Sequence, residues 1–347
     1  MRIPRFSAAP PGTRPDASYD KSRAFRSAAA SFSVCDARKT ENGMETGRAQ
    51  HSLPHFERTA VMELCIASLF SGSKGNALFI RCGNSSVLID AGMSARAIEK
   101  ALAKIGASAA ELDAVFVTHE HIDHIKALNV LAKRFPIRIH LTERTADALL
   151  SACQISSAEP LIPHAPFFSV TLGSLTVESF PTQHDSAQSV GFRVSAKTSE
   201  GIRTVGIATD LGCVDDTVRS ALLGSEFVVL EANHDENMLM CGSYPYSLKR
   251  RILSPRGHLS NDACGSFLCE LAAHGLRGAM LAHLSEENNH PALARATVTH
   301  ALSQAGISRE EVFLTVAEQN APVVLVQNGH PAENGETTFG NAMPQHA

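Results

Sequence analysis

An α/β sandwich of mixed strands with helices on its outer faces is the fold class this sequence predicts, and three observations predict it. Short β-rich runs open the ordered part of the chain, separated by the turn segments Ser71-Gly72-Ser73-Lys74-Gly75-Asn76 and Gly83-Asn84. Apolar strand-like runs then alternate with stretches of helical periodicity almost to the end. Finally, 347 residues at 44% hydrophobic and 19% charged are enough to bury a sizeable core.

Taken in order, residues 64–70, 77–82 and 86–90 read as strands joined in antiparallel hairpins. A helix follows over 95–105, then a buried-type strand over 114–118 and a helix from about 124 to 133. Strands at 138–141, 175–180, 190–195, 203–208 and 226–230 alternate with helices at 143–152, where Thr142 is a candidate N-cap, and at 215–223. A helix capped by Ser260 or Asn261 runs to 274 and a strand spans 278–281. A helix over 291–304 and strands at 312–316 and 323–326 complete the pattern. Residues 1–61, rich in Ser, Ala, Arg, Pro and Gly without apolar period, are expected to be disordered, or to lie upstream of a true start at Met62. A transit peptide is disfavoured there by Asp16, Asp20 and Asp36. The catalytic domain is therefore expected over 62–327, with a disordered tail over 328–347.

Charge and cysteine usage narrow the class. Residues 1–61 hold ten of the 31 Lys/Arg and six of the 35 Asp/Glu, which leaves the remainder at net −8 and does not by itself advertise a nucleic-acid surface. Eight cysteines without a CxxC pair read as free thiols of a reducing compartment. No apolar run approaches the roughly 18 residues of a membrane span, and no N-terminal apolar block resembles a secretory signal. The expectation is a soluble cytoplasmic protein without a membrane partner.

The chemistry concentrates where the strand at 114–118 ends, in Thr118-His119-Glu120-His121-Ile122-Asp123-His124. His119 and His121 alternate on an extended segment and can point the same way, while Asp123 and His124 turn toward a second position as the helix begins. Three imidazoles and a carboxylate within six residues are a metal-binding arrangement.

With this motif the sequence resembles the metallo-β-lactamase superfamily over roughly residues 62–327. The resemblance implies an αββα sandwich with two mixed β-sheets, and it assigns further residues by motif. Asp90 in Leu88-Ile89-Asp90-Ala91-Gly92 is similar to the aspartate that orients the motif histidines. His184 in Thr182-Gln183-His184-Asp185, Asp210 in Ala208-Thr209-Asp210-Leu211 and His283 in Leu281-Ala282-His283-Leu284 match the remaining ligands in order. The implied centre holds one divalent ion by His119, His121, His184 and Asp210, and a second by Asp123, His124, Asp210 and His283, with Zn2+ or Mn2+ as the candidate metals. A carboxylate at the bridging position favours a paired-metal site suited to a phosphodiester, attacked by a hydroxide that the metals acidify toward a pKa of about 7.

Further segments, among them Leu230-Glu231-Ala232-Asn233-His234-Asp235 and Arg256-Gly257-His258-Leu259-Ser260-Asn261, resemble the WalJ (YycJ) branch. That likeness implies an exonuclease degrading double-stranded DNA from 5′ ends, with a role in mismatch repair and DNA as the partner. Lys249, Arg250, Arg251 and Arg256 supply four cations within eight residues that can neutralise phosphates, the alternative being a solvated helix face. His258 is a candidate for contacting the scissile phosphate or protonating the leaving oxygen, so that Asp123, Asp210 and His258 are the expected catalytic residues. His234 and Asp235 stay open between the metal cavity and a helix start. His140, His164, His274 and His300 are expected to be structural or exposed, and His290 to lie in a turn into the next helix.

Only 72 residues separate Asp210 from His283, too few for the large inserted domain of RNA-processing relatives. The remaining alternatives are a hydrolase of the same fold acting on a small phosphodiester, thioester or lactone, and a non-catalytic scaffold, which would be expected to have lost ligands.

Overall fold

In the computed structural model of the protein, which describes residues 63–332, the chain opens with strands β1 (Leu64–Phe70), β2 (Ala77–Cys82) and β3 (Ser85–Ile89), paired as an antiparallel meander. Helix α1 (Ala95–Lys104), a 3-10 turn (Ala109–Glu111), β4 (Ala114–Phe116), α2 (Ile122–Ile125), α3 (Leu128–Arg134), β5 (Arg138–Thr142), α4 (Glu143–Ser151) and β6 (Leu161–His164) follow. Next come β7 (Ser169–Leu172), β8 (Leu175–Pro181), β9 (Val190–Thr198), β10 (Gly201–Ala208), α5 (Asp216–Leu222) and β11 (Phe227–Glu231). The chain continues through α6 (Glu236–Cys241), α7 (Tyr246–Ile252), α8 (Asn261–Ala272), β12 (Gly278–Ala282) and α9 (Pro291–Gln304). It ends with β13 (Phe313–Val316), β14 (Val323–Gln327) and β15 (His330–Pro331).

Two mixed sheets result, one in the order β15-β14-β1-β2-β3-β4-β5-β6 and the other in the order β13-β12-β11-β10-β9-β8-β7. Between them lies an apolar layer to which the first sheet contributes Leu64, Ile66, Ile80, Val87 and Phe116 and the second Val194, Val205, Phe227 and Met280. The alternate residues of the same strands face outward and are covered by helices. Leu88, Val115 and Ile139 pack with Ile98 and Leu102 of α1 and Leu128 and Leu131 of α3. Val228, Leu230 and Leu281 pack with Val218 of α5, Leu268 of α8 and Val298 of α9. Burial on both faces is why strands such as β11 read as unbroken apolar runs rather than as alternation. The helices that cover them begin at side-chain caps: Ser94 accepts from the Ala97 amide, Thr142 from Thr145 and Ser260 from Ala263.

The architecture is the αββα sandwich, with differences in detail. The helix expected over 124–133 is two helices, because the backbone at their junction bonds elsewhere: the Ala91 amide donates to the His124 carbonyl at 2.7 Å and the Ala127 amide to the Ala91 carbonyl at 2.8 Å. Strand β4 stops at Phe116 rather than 118, since the Thr118 amide turns to the Asp90 carboxylate at 2.8 Å. The expected boundary at 327 falls inside a hairpin, where Asn328 and Gly329 have φ of 53° and 76° and bring β15 back onto β14. The segment expected over 1–61 and the rest of the expected tail, 333–347, lie outside the described residues. Among the described residues no helix is long and apolar enough to cross a membrane.

Candidate metal centre

The ends of β3, β4, β8, β10, β11 and β12 converge on one edge of the sandwich, and each is followed or closed by a polar residue of the cluster. Asp90, Asp210 and His283, lying one or two residues past β3, β10 and β12, adopt left-handed backbone with φ of 61°, 55° and 55°. Such conformations cost roughly 1–2 kcal/mol for a residue with a β-carbon, and Asp and His tolerate them better than most.

Backbone hydrogen bonds stitch the loops together. The Asn76 amide donates to the Asp123 carbonyl at 2.7 Å, and the Gly92 amide donates to the Asn76 carbonyl at 2.8 Å. Gly92 passes so close to the histidine motif that a β-carbon on it would fall 1.5 Å from the Asp123 carbonyl oxygen. The motif is thereby held from behind by backbone.

His119, His124, His184 and His283 each set Nδ1 against a protein atom and turn Nε2 inward. His124 Nδ1 lies 2.8 Å from Asp90 Oδ2, whose carboxylate also accepts from the Thr118 amide and hydroxyl at 2.8 Å each. His119 Nδ1 faces the Thr118 hydroxyl at 3.0 Å, and His184 Nδ1 faces the Gly257 carbonyl at 3.3 Å. His283 Nδ1 lies 2.7 Å from Glu231 Oε1. The inward atoms include His184 Nε2, His283 Nε2 and Asp210 Oδ2, all buried and without a hydrogen-bond partner. His119 Nε2 and His121 Nδ1 face one another at 2.9 Å. Unpartnered buried polar atoms are uncommon, and convergent imidazole lone pairs with a carboxylate are the donor set of a divalent metal. The residues present thus fit the group.

Sets with the donor atoms to hold a metal ion, all within 4.8 Å of one another, are His119 with His121 and His184, His119 with His124 and Asp210, and Asp123 with His124 and His283. Asp210 lies between two groups of histidines, with Oδ2 3.2 Å from His124 Nε2 and Oδ1 3.8 Å from His184 Nε2. A fourth set, Asp210, Glu231, His258 and His283, contains Glu231 by proximity, but both oxygens of that side chain are already engaged. Oε1 accepts from His258 and His283, and Oε2 from the Leu211 and Leu259 amides at 3.0 and 3.1 Å.

Burial alone would raise the carboxyls and lower the imidazoles, but opposite charge wins at several groups. The His283 and His124 imidazoles hold Asp210 well below the usual carboxylate range. The neighbouring His124 and His283 imidazoles do the same for Asp123. Glu231 is drawn down to about 2 by His258 and His283, while His283 is lifted to about 10 by Asp210, Asp123 and Glu231. Burial keeps His119 well below its ordinary value and lowers His184, so both stay in the neutral form that ligates.

The basic cluster divides. Arg251 and Arg256 line a cavity of about 180 Å³ whose floor includes His184, His258 and His283. Arg251 pairs with Asp185 at 2.9 Å, and the Arg256 guanidinium donates to the His184 carbonyl at 3.1 and 3.3 Å. Lys249 instead donates to the Met240 and Gly242 carbonyls at 2.7 Å each, at the end of α6, and Arg250 is exposed away from the cavity lining. His234 is buried with neither ring nitrogen hydrogen-bonded, so the helix-start reading with a backbone bond does not describe it; Asp235 is the residue that caps α6, through the Met238 amide. His290 caps α9 through the Ala292 amide, and His140 bonds His164 at 2.9 Å in a stack with Phe116 and Phe168.

Glu231 escapes the sequence reading, although a carboxylate closing an apolar strand is the signal that also marks Asp90 and Asp210. Asn76 escapes it too: its side-chain amide lies 3.1 Å from His124 Nε2.

Residues 85–284 match the family model described as a beta-lactamase superfamily domain. Exodeoxyribonuclease YycJ of Bacillus anthracis is 34% identical over 261 residues, which is 73% of this chain and 94% of that protein. Exodeoxyribonuclease WalJ of Streptococcus pneumoniae is 32% identical over 243 residues, 69% of this chain and 88% of that protein. Among solved structures, the metallo-beta-lactamase fold protein YhfI from Bacillus subtilis matches with a TM-score of 0.56 at 18% identity, covering 76% of this chain and 99% of that one, a likeness of fold.

Proposed function

The chain belongs to the beta-lactamase superfamily and is a metal-dependent hydrolase, and from that membership and the geometry of its site we propose that it is a dinuclear phosphodiesterase acting as a 5′-to-3′ exonuclease on double-stranded DNA. The observation that carries the dinuclear reading is the convergence of the buried, unpartnered atoms of His184, His283 and Asp210 with the facing nitrogens of His119 and His121. His119, His121, His184 and Asp210 would hold one ion, and Asp123, His124, Asp210 and His283 the other, as Zn2+ or Mn2+. Bound there, the ions would polarise the phosphate and acidify the attacking water.

The chain's own residues supply the rest. Arg251 and Arg256 stand at the rim of the cavity, where phosphates flanking the scissile one would pass. His258 lines the same cavity, and although burial opposes it, the Glu231 carboxylate 2.8 Å away raises its pKa and so favours the protonated form that a donor to the leaving oxygen requires. The names of the YycJ and WalJ relatives support DNA as the substrate and, with it, a cytoplasmic setting. The net acidity of the body beyond residue 61 favours the second reading, a hydrolase of small phosphodiesters.

The test is degradation of a 5′-labelled linear duplex by the purified protein supplied with Mn2+ or Zn2+, beside the Asp210→Ala variant. Metal-dependent loss of label that the variant lacks is the expected result. Intact duplex with turnover of bis(p-nitrophenyl) phosphate would replace the exonuclease by the small-diester reading.

A further inference from the structure

We propose that the cavity over the metal centre is a subsite for one unpaired nucleoside, in which Tyr244 stacks on the base adjoining the scissile phosphate. The inference rests on the phosphodiesterase reading and deepens it.

The cavity lining combines unlike chemistries. The imidazoles of His258 and His283 and the guanidinium groups of Arg251 and Arg256 share it with the aromatic and apolar side chains of Tyr244 and Leu248. A bare phosphate has no use for the aromatic and apolar groups, and a neutral lactone or thioester none for the cations. A nucleoside phosphate uses both. Tryptophan is absent from this chain and tyrosine occurs three times, yet Tyr244 and Tyr246 fall within three residues on this one segment. Every base offers a π-face, so an aromatic wall binds without reading sequence.

The segment is braced. Lys249 holds the Met240 and Gly242 carbonyls, and Gly242 lies so close to the loop after β12 that a β-carbon on it would be 2.8 Å from Asn288 Oδ1. Tyr244 is presented on a segment already fixed in place, which limits the ordering that binding must impose.

Size sets the occupant. About 180 Å³ is below the roughly 300–1,000 Å³ of pockets that engulf a whole drug-sized ligand. On this proposal it seats a single base, and a duplex end frays as its terminal nucleotide enters.

The experiment measures, by titration calorimetry on the Mn2+-loaded full chain, binding of dAMP and of deoxyribose 5-phosphate to wild type, Tyr244→Phe and Tyr244→Ala. Wild type and Tyr244→Phe are expected to bind dAMP about tenfold more tightly than the base-free sugar phosphate, a modest stacking contribution. In Tyr244→Ala the preference should vanish while deoxyribose 5-phosphate binds as before. Equal binding of the two ligands by wild type, or an undiminished preference in Tyr244→Ala, overturns the proposal. In parallel, a linear duplex with a mismatched terminal pair should be degraded faster than a matched one. A dAMP preference that depends on Tyr244, beside a duplex left intact, upholds the subsite and removes the DNA exonuclease reading.

Discussion

Glu231 Oε1 lies 2.8 Å from Nδ1 of His258, and the glutamate is wholly buried while the imidazole faces the cavity. The ionised carboxylate thus favours the protonated form of the histidine, the form the proposed proton donor requires. Because the folded-state pKa of His258 is raised, its proton is present below the ordinary histidine value and is lost only as pH rises through the raised one. Hydrolysis should therefore show an alkaline limb, and Glu231→Gln, which removes the negative charge, should move that limb to lower pH. A pH–rate profile of both proteins checks the direction.

His258→Ala should separate substrates by leaving group. An alkoxide leaving from DNA needs a proton, and p-nitrophenolate does not. Steady-state rates are expected to fall about 100-fold on DNA, with a much smaller loss on bis(p-nitrophenyl) phosphate. Equal losses on the two would remove the proton-donor role.

Asp90 touches Thr118 and His124 through three hydrogen bonds and reaches the centre only through them. In Asp90→Asn one carboxylate oxygen becomes an NH2 donor, so either the Thr118 amide or the Thr118 hydroxyl together with His124 faces a donor instead of an acceptor, and the His124 ring loses its fixed support. Metal affinity should drop by about 10–100-fold, read by competition with a chromophoric chelator, while circular dichroism stays unchanged.

Gly92→Ala would drive a methyl into the Asp123 carbonyl, backbone that cannot yield without moving the histidine motif. Destabilisation of more than about 4 kcal/mol is expected, against about 1 kcal/mol for Gly106→Ala, where φ is 67° and the space is open. Urea denaturation of the two variants gives the comparison.

His140 is held down to about 4 by burial and by His164. The unfolded chain binds its proton near the ordinary value of 6.5, so stability is complete above that pH and declines as pH falls from 6.5 toward 4. His140→Phe, which keeps an aromatic ring against Phe116, should lose less melting temperature between pH 7.5 and pH 5 than wild type does.

Strands whose two faces are buried declare themselves as apolar runs, and the histidine motif declares itself by density, so β11 and the loop after β4 were legible from residue order alone. Helices α6 and α7, of six and seven residues, were not. Lys249 shows a different limit. Its charge suggested a phosphate contact, but which partner a cation takes is decided by the carbonyls that α6 leaves open, and those belong to the folded chain. Glu231 was invisible for a related reason: its four donors come from residues 20 to 52 positions away.

The left-handed backbone at Asp90, Asp210 and His283 sets two selective pressures against each other at the same three positions. Glycine would relax the backbone at each and would delete the side chain the centre depends on. A lineage released from the need for hydrolysis would therefore gain conformational ease by drifting to glycine or asparagine at these three sites before any core residue changed. This chain carries two aspartates and a histidine at these three positions, so it forgoes there the backbone ease that glycine would give.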